Sequence, residues 1–275
     1  MQILRAEGVK KSFGGLAAVN NVDFDLNKGE IMGLIGPNGA GKTTFFNLIS
    51  GAIPLDVGTI IFDGIKISGR KPYHICRYGI GRTFQHAKNF PGLSIRDNVM
   101  MGALFGEKGQ SRKCAENEVD EILAYVGLGG QGNRHVPDLT LAMQKRVEVA
   151  RALATKPKLL LLDETMAGLN PTEVEEAMGL VKKIRDSGIT IIMIEHVMRA
   201  IMTICDRIFV LHHGAMIASG MPDEVANDPA VIEVYLGKSD EPEKPDVSEA
   251  PEVTEKPEEQ EKPGEPSASG DFEKS

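Results

Sequence analysis

Apolar and polar side chains alternate with period two in Val22-Asp23-Phe24-Asp25-Leu26, the pattern of a strand with one buried face, and the first 30 residues as a whole read as strands. A second extended run, Gly58-Thr59-Ile60-Ile61-Phe62-Asp63-Gly64, closes on an Asp-Gly turn signal. The period then changes. Val119, Ile122, Leu123 and Val126 fall at i, i+3, i+4 and i+7, and Ser94-Ile95-Arg96-Asp97 reads as a capping box, so residues 94–127 predict a small helical insert. The Thr140 hydroxyl is expected to cap a further helix running to about Ala154. Downstream, Lys158–Asp163 and Ile189–Ile194 are continuous apolar runs of strand length, as expected for strands buried on both faces of a parallel sheet. Between them Asn170-Pro171 opens a helix whose buried face is Val174, Met178, Val181 and Ile184 and which stops at Gly188. A helix from about Val197 and a hairpin over Arg207–Ser219, turning near His213-Gly214, complete the series. Alternating helices and buried strands predict an α/β fold with a mainly parallel sheet.

Charge separates the chain into two parts. Of 275 residues, 31 are basic and 39 acidic, a formal charge of −8. Residues 238–275 carry 13 acids against five lysines, six of the 15 prolines and one aromatic, Phe272. Such a segment has nothing to offset its ordering entropy and is predicted to be disordered. The body that remains holds 26 acids and 26 bases, and a neutral body argues against a dedicated nucleic-acid binder. Cys76, Cys114 and Cys205 are scattered and form no CxxC pair, which suits a reducing compartment. No basic start leads into an apolar run, so a signal peptide is not expected, and no apolar stretch approaches the roughly 20 residues of a membrane span.

Chemistry concentrates at two places. Gly36-Pro37-Asn38-Gly39-Ala40-Gly41-Lys42-Thr43 fits GxxxxGK[ST], with a strand (Ile31–Ile35) before it and a helix (Thr44–Ile49) after it. Glycines let successive N–H groups point at phosphate oxygens beside a helix N-terminus, Lys42 reaches the β- and γ-phosphates, and the Thr43 hydroxyl can ligate Mg²⁺. Leu159–Leu162 then delivers Asp163 and Glu164 to the end of a buried strand, where Asp163 is expected to hold Mg²⁺ and Glu164 to polarise the attacking water. His212 and His213, as neighbours in a strand, are expected to face opposite sides, which gives no metal pair.

Together with Ala167-Gly168-Leu169-Asn170, these Walker A and Walker B stretches resemble the nucleotide-binding subunit of an ABC transporter, over residues 2–237. The match is narrowest with the ATPase subunits of branched-chain amino-acid importers. It is carried by Lys11–Leu16, Arg82-Thr83-Phe84-Gln85-His86, Ala167–Pro171, Ile194-Glu195-His196 and Asp228–Gly237. The resemblance implies a P-loop NTPase with a parallel core, an N-terminal antiparallel β subdomain, a helical insert at about 86–137 and a C-terminal family extension at about 221–237. It implies that Phe13 stacks on adenine, that Gly36 to Thr44 bind ATP, that Gln85 contacts Mg²⁺ and that His196 contacts the γ-phosphate. The partners implied are a second ATPase subunit, membrane permease subunits docked by the insert, and indirectly a solute-binding protein. The location implied is the cytoplasmic face of the membrane. Rival readings are a soluble ABC ATPase outside transport and a partner that binds ATP without turnover.

The departure from the family lies in the second phosphate-binding element, where Leu-Ser-Gly-Gly-Gln is expected and Leu139-Thr140-Leu141-Ala142-Met143 stands. Thr140 keeps a hydroxyl. Ala142 adds a methyl where glycine lets the backbone approach phosphate, and Met143 has no amide to donate or accept hydrogen bonds. Thr165 also replaces the proline usual after the Walker B glutamate. The resemblance implies a head-to-tail dimer in which each signature serves the other subunit's ATP, so with the Walker pair intact Ala142 and Met143 predict an asymmetric heterodimer in which this chain weakens its partner's site rather than its own; the alternative is a nearly symmetric pair whose backbone tolerates both changes.

Overall fold

A computed structural model describes residues 1–84, 89–106 and 112–236; the predicted tail from residue 238 lies outside them, as does Gln85. The chain opens with strands β1 (Gln2–Phe13), β2 (Leu16–Asn27) and β3 (Ile31–Ile35), then helix α1 (Lys42–Ile49), β4 (Val57–Phe62) and β5 (Ile65–Lys66). Next come α2 (Pro72–Tyr78), β6 (Ile80–Arg82), α3 (Ile95–Phe105), α4 (Arg112–Tyr125) and α5 (Leu141–Ala154). The order then alternates: β7 (Leu159–Asp163), α6 (Pro171–Asp186), β8 (Thr190–Ile194), α7 (Met198–Ile204), β9 (Arg207–His212), β10 (Ala215–Gly220), α8 (Pro222–Ala226) and α9 (Pro229–Leu236).

Two sheets result. β2-β1-β4-β5 is antiparallel, and β10-β9-β3-β8-β7-β6 is parallel except for β10. The continuous apolar runs occupy the centre of the parallel sheet, and each strand divides its side chains between two cores. Leu160, Leu162, Ile191 and Met193 face the helices α3 to α7. Leu159, Leu161, Ile192 and Ile194 face α1 and the antiparallel sheet. In that second core Phe24 of β2 meets Phe45 of α1 at 5.3 Å and Phe209 of β9 at 4.9 Å, both edge to face. Two strands, β2 and β9, are thereby locked on the helix that leaves the glycine loop.

Local chemistry decides the boundaries. Asn170 caps α6 in a capping box with Glu173, as Pro171 at its first turn suggests. At α3, Ser94 accepts the Asp97 N–H, but the Asp97 carboxylate accepts from the Ser94 hydroxyl, so the second half of that box is a side-chain pair. Asp63-Gly64 and His213-Gly214 both take left-handed backbone and turn the β4–β5 and β9–β10 hairpins where the dipeptides predict. α1 starts at Lys42 rather than Thr44, because Gly41 with φ of 101° is already its N-cap. The short α2 and β6 carry no periodicity of their own and were not expected. Among the described residues no helix is long and apolar enough to cross a membrane.

Phe45 is wholly buried at this three-way junction. Its replacement by alanine is expected to lower stability by about 3–5 kcal/mol, read as a reduced urea midpoint at unchanged slope.

Candidate active site

In a parallel sheet, ligands collect at the carboxyl ends of the strands. The order β3-β8-β7-β6 puts four such ends side by side, and each delivers one piece of the site. From β3 the chain turns through Gly36 (φ 148°), Gly39 (77°) and Gly41 (101°) into α1. Two of these glycines are required by their neighbours as well: a Cβ on Gly36 would lie 2.1 Å from the Leu211 carbonyl oxygen, and on Gly41 2.2 Å from that of Ala18. The β9–β10 turn braces the loop, with the Gly214 N–H donating to the Ala40 carbonyl at 3.0 Å. Lys42 is 7% exposed, and its ammonium donates to the carbonyls of Gly36 (2.6 Å) and Pro37 (3.0 Å). Burial pulls the Lys42 pKa down, and the charges of Glu164 and Asp163 oppose that pull.

Asp163 ends β7 and is 1% exposed. Its Oδ2 accepts from Arg82 Nη2 at 3.2 Å, while Oδ1 has no hydrogen-bond partner among the described residues. Burial pushes the Asp163 pKa up against the downward pull of Arg82. Arg82 also donates to Asn47 Oδ1 (2.6 Å) and Ser50 Oγ (2.9 Å) on and just past α1, so it ties three elements together behind the phosphate loop. The Asp163 N–H donates to the Thr83 hydroxyl at 3.0 Å. Glu164 follows with left-handed backbone (φ 50°), which turns its carboxylate out of the sheet to 3.0 Å from His196 Nε2. His196, two residues past β8, is half exposed.

These groups open on a cleft of about 420 Å³ lined by Asn38 to Thr44, Glu164, His196, His213, Phe13 and the start of β2. Phe13 is 51% exposed at its rim, so it is not a core aromatic. Thr43 is exposed and Thr44 half-buried within the cleft. His212 and His213 do not face opposite sides as expected. His213 has left the strand for the turn (φ 46°), and the two rings lie 4.0 Å apart, centre to centre. Among the described residues no three metal-ligating side chains converge.

Thr140, Ala142 and Met143 sit apart from this cleft at the start of α5. Thr140 is the N-cap and accepts the Met143 N–H at 3.4 Å. Ala142 is buried and lines a narrow apolar crevice between α5 and α6, Met143 packs on the helical core, and Leu141 is exposed and lies over Gly168. Sequence reasoning missed Arg82, Thr83, Lys145 and Glu195 as parts of the site. The signal was available for three of them: Arg82 and Thr83 precede Gln85, and Glu195 precedes His196, in the resembling segments.

The family described as ABC transporter matches residues 19–167. The chain belongs to the ABC transporter ATP-binding family. The family described as branched-chain amino acid ATP-binding cassette transporter matches residues 215–241. Among relatives, the Escherichia coli K12 high-affinity branched-chain amino acid transport ATP-binding protein LivG is 39% identical over 86% of this chain and 98% of its own length. The Pseudomonas aeruginosa protein BraF, named in the same way, is 36% identical with the same coverage. The E. coli K12 lipopolysaccharide export system ATP-binding protein LptB is 37% identical over 86% of this chain and 98% of its own. Of solved structures, the ADP conformation of an ATP-binding cassette of an ABC transporter superposes with a TM-score of 0.80 at 30% identity, covering 86% of this chain and all of that one.

As an ABC transporter ATPase subunit the chain binds ATP, and the loop's close packing predicts that Gly36 and Gly41 tolerate a side chain less well than Gly39. Gly41→Ala drives a methyl into the Ala18 carbonyl at a φ that disfavours any side chain. ATP affinity measured by calorimetry is expected to fall at least about tenfold, whereas Gly39→Ala, with open space around it, should lose less.

Proposed function

We propose that this chain hydrolyses ATP to power an importer of branched-chain amino acids, at the cytoplasmic face of the membrane, through separate permease subunits fed by a solute-binding protein. The observation that carries the chemistry is the Glu164 carboxylate at 3.0 Å from His196 above the phosphate loop. The match of residues 215–241 to the branched-chain family supports the substrate. LptB shares 37% identity and is named for a different cargo, which fits a division of labour in which membrane subunits select what is moved. On this reading residues 1–237 carry the ATPase and residues 238–275 are an appended acidic tail.

The residues present fit ATP with Mg²⁺. Asp163 Oδ1, buried and with no hydrogen-bond partner among the described residues, is an acceptor suited to a cation that is also held by phosphates and water. Asp163 and the Thr43 hydroxyl would hold the ion, with Gln85 completing the set; once bound it neutralises charge on the β- and γ-phosphates. The N–H groups of Asn38, Gly39 and residues 41–44, at the α1 N-terminus, receive the phosphates. Lys42 exchanges the Gly36 and Pro37 carbonyls for phosphate oxygens, and Phe13 offers its exposed face to adenine. Glu164 takes the proton of the attacking water, and His196 contacts the γ-phosphate.

Thr140 and the first turn of α5 would serve the ATP of a second ATPase subunit, docked head to tail. Because Ala142 is buried, its methyl does not stand at the helix tip, and the loss at the partner's site is assigned chiefly to Met143, which offers no amide. A half-open apolar pocket of about 320 Å³ between α2, Arg82, Phe84 and the end of α5 is suited to a permease loop. The Phe90 ring beneath Arg151, at 5.4 Å, stands exposed at the same side of α5.

The test is ATPase activity of the assembled complex in the presence of leucine, isoleucine or valine. Stimulation by these solutes and not by unrelated ones is expected. Glu164→Gln in this chain should lower kcat by at least about 100-fold. The equivalent glutamine variant of the partner should cost distinctly less, and equal losses would rule out the asymmetric pair.

A further inference from the structure

Behind the Glu164 carboxylate lies a buried set of polar groups that hydrolysis as described does not use. Glu195 is 2% exposed and Thr165 5%. Glu195 Oε1 accepts both the Thr165 hydroxyl (3.1 Å) and the Met166 N–H (2.8 Å), and Oε2 has no partner among the described residues. On the opposite side Lys145 of α5, itself 7% exposed, donates from Nζ to the Glu164 carbonyl at 2.9 Å. The Glu164 N–H donates to Ile194 O at 2.9 Å, at the residue just before Glu195.

All of these contacts converge on one unusual peptide. Left-handed backbone at a residue with a side chain is disfavoured and persists only where surrounding structure imposes it. Here the end of β8 holds Glu164 at its N–H, α5 holds it at its carbonyl, and a carboxylate from beyond β8 anchors the next two residues. A buried carboxylate is costly unless hydrogen-bonded, and both donors that the described residues offer Glu195 belong to the segment that aims Glu164. Burial pushes the Glu195 pKa up while its two donors pull it down.

We propose that Glu195, Thr165 and Lys145 are positioning residues that hold the Glu164 peptide in its left-handed form and thereby set its carboxylate against His196 and the attacking water. The proposal rests on the reading of Glu164 as the general base. Displacing a base by a fraction of an ångström weakens the chemical step without touching the phosphate contacts that bind nucleotide. Thr165 supplies a clean probe, because valine keeps its shape and removes only the hydroxyl.

The experiment measures kcat and ATP affinity of the assembled complex for Thr165→Val, Thr165→Ser and Glu195→Gln, each alone and with Glu164→Gln. Thr165→Val and Glu195→Gln are expected to lower kcat by about tenfold with ATP affinity within about twofold of wild type. Thr165→Ser should restore turnover, and Thr165→Val should add nothing to Glu164→Gln. Wild-type kcat in Thr165→Val would overturn the proposal. So would a parallel loss of ATP affinity, or a serine variant as slow as the valine. If Glu164→Gln alone turns over normally, the general-base reading itself fails, a result recognisable without reference to residue 165.

Discussion

Burial of the parallel sheet on both faces is the constraint from which the rest follows. Four consecutive leucines at 159–162 cannot satisfy a half-exposed strand, so β7 is driven to the sheet interior with α-helices on one face and α1 plus the antiparallel sheet on the other. Once β7 and β8 are fixed beside β3, the ends of all three open on the same cleft. The apolar interior places the charges: Lys42, Asp163 and Glu164 are held within electrostatic reach of one another because β7, and β3 with the loop that leads from it into α1, are fixed on either side of β8 in the buried sheet.

That arrangement concentrates opposing charges in a poorly solvated site, and the structure balances them internally. Lys42 rests on two backbone carbonyls, and Arg82 pairs with Asp163 at 3.2 Å. Each desolvated group thus keeps part of its pairing within the protein, and on the proposed function phosphate would replace one of these contacts rather than meet a naked charge. The same logic explains the rim. Phe13 stays exposed at the cleft mouth, where a flat apolar ring costs little in water and offers a stacking face.

Much of this was legible in sequence because the signals were local. The phosphate loop, the buried strands, the Asn170 cap and the two Gly-containing turns each depend on a few adjacent residues, and each lies where its pattern puts it. What escaped was long-range or too short to have a period. Arg82 acquires its meaning only from partners 32 to 81 positions away, and Glu195 from Thr165 across the sheet. The His212-His213 expectation failed because strand alternation stops at the residue that enters the turn. Ala142 shows the opposite limit: its identity was plain, but its burial against α6 is set by packing between helices that no local pattern describes.

A structure of the assembled complex with a non-hydrolysable ATP analogue and Mg²⁺ tests the central claim most directly. The account predicts nucleotide in this chain's cleft, with Lys42 Nζ moved from the Gly36 and Pro37 carbonyls to the β- and γ-phosphates, Asp163 and Thr43 around the cation, and Glu164, still left-handed, facing the γ-phosphate. Nucleotide bound with Lys42 unmoved and Glu164 turned away from the γ-phosphate would contradict it.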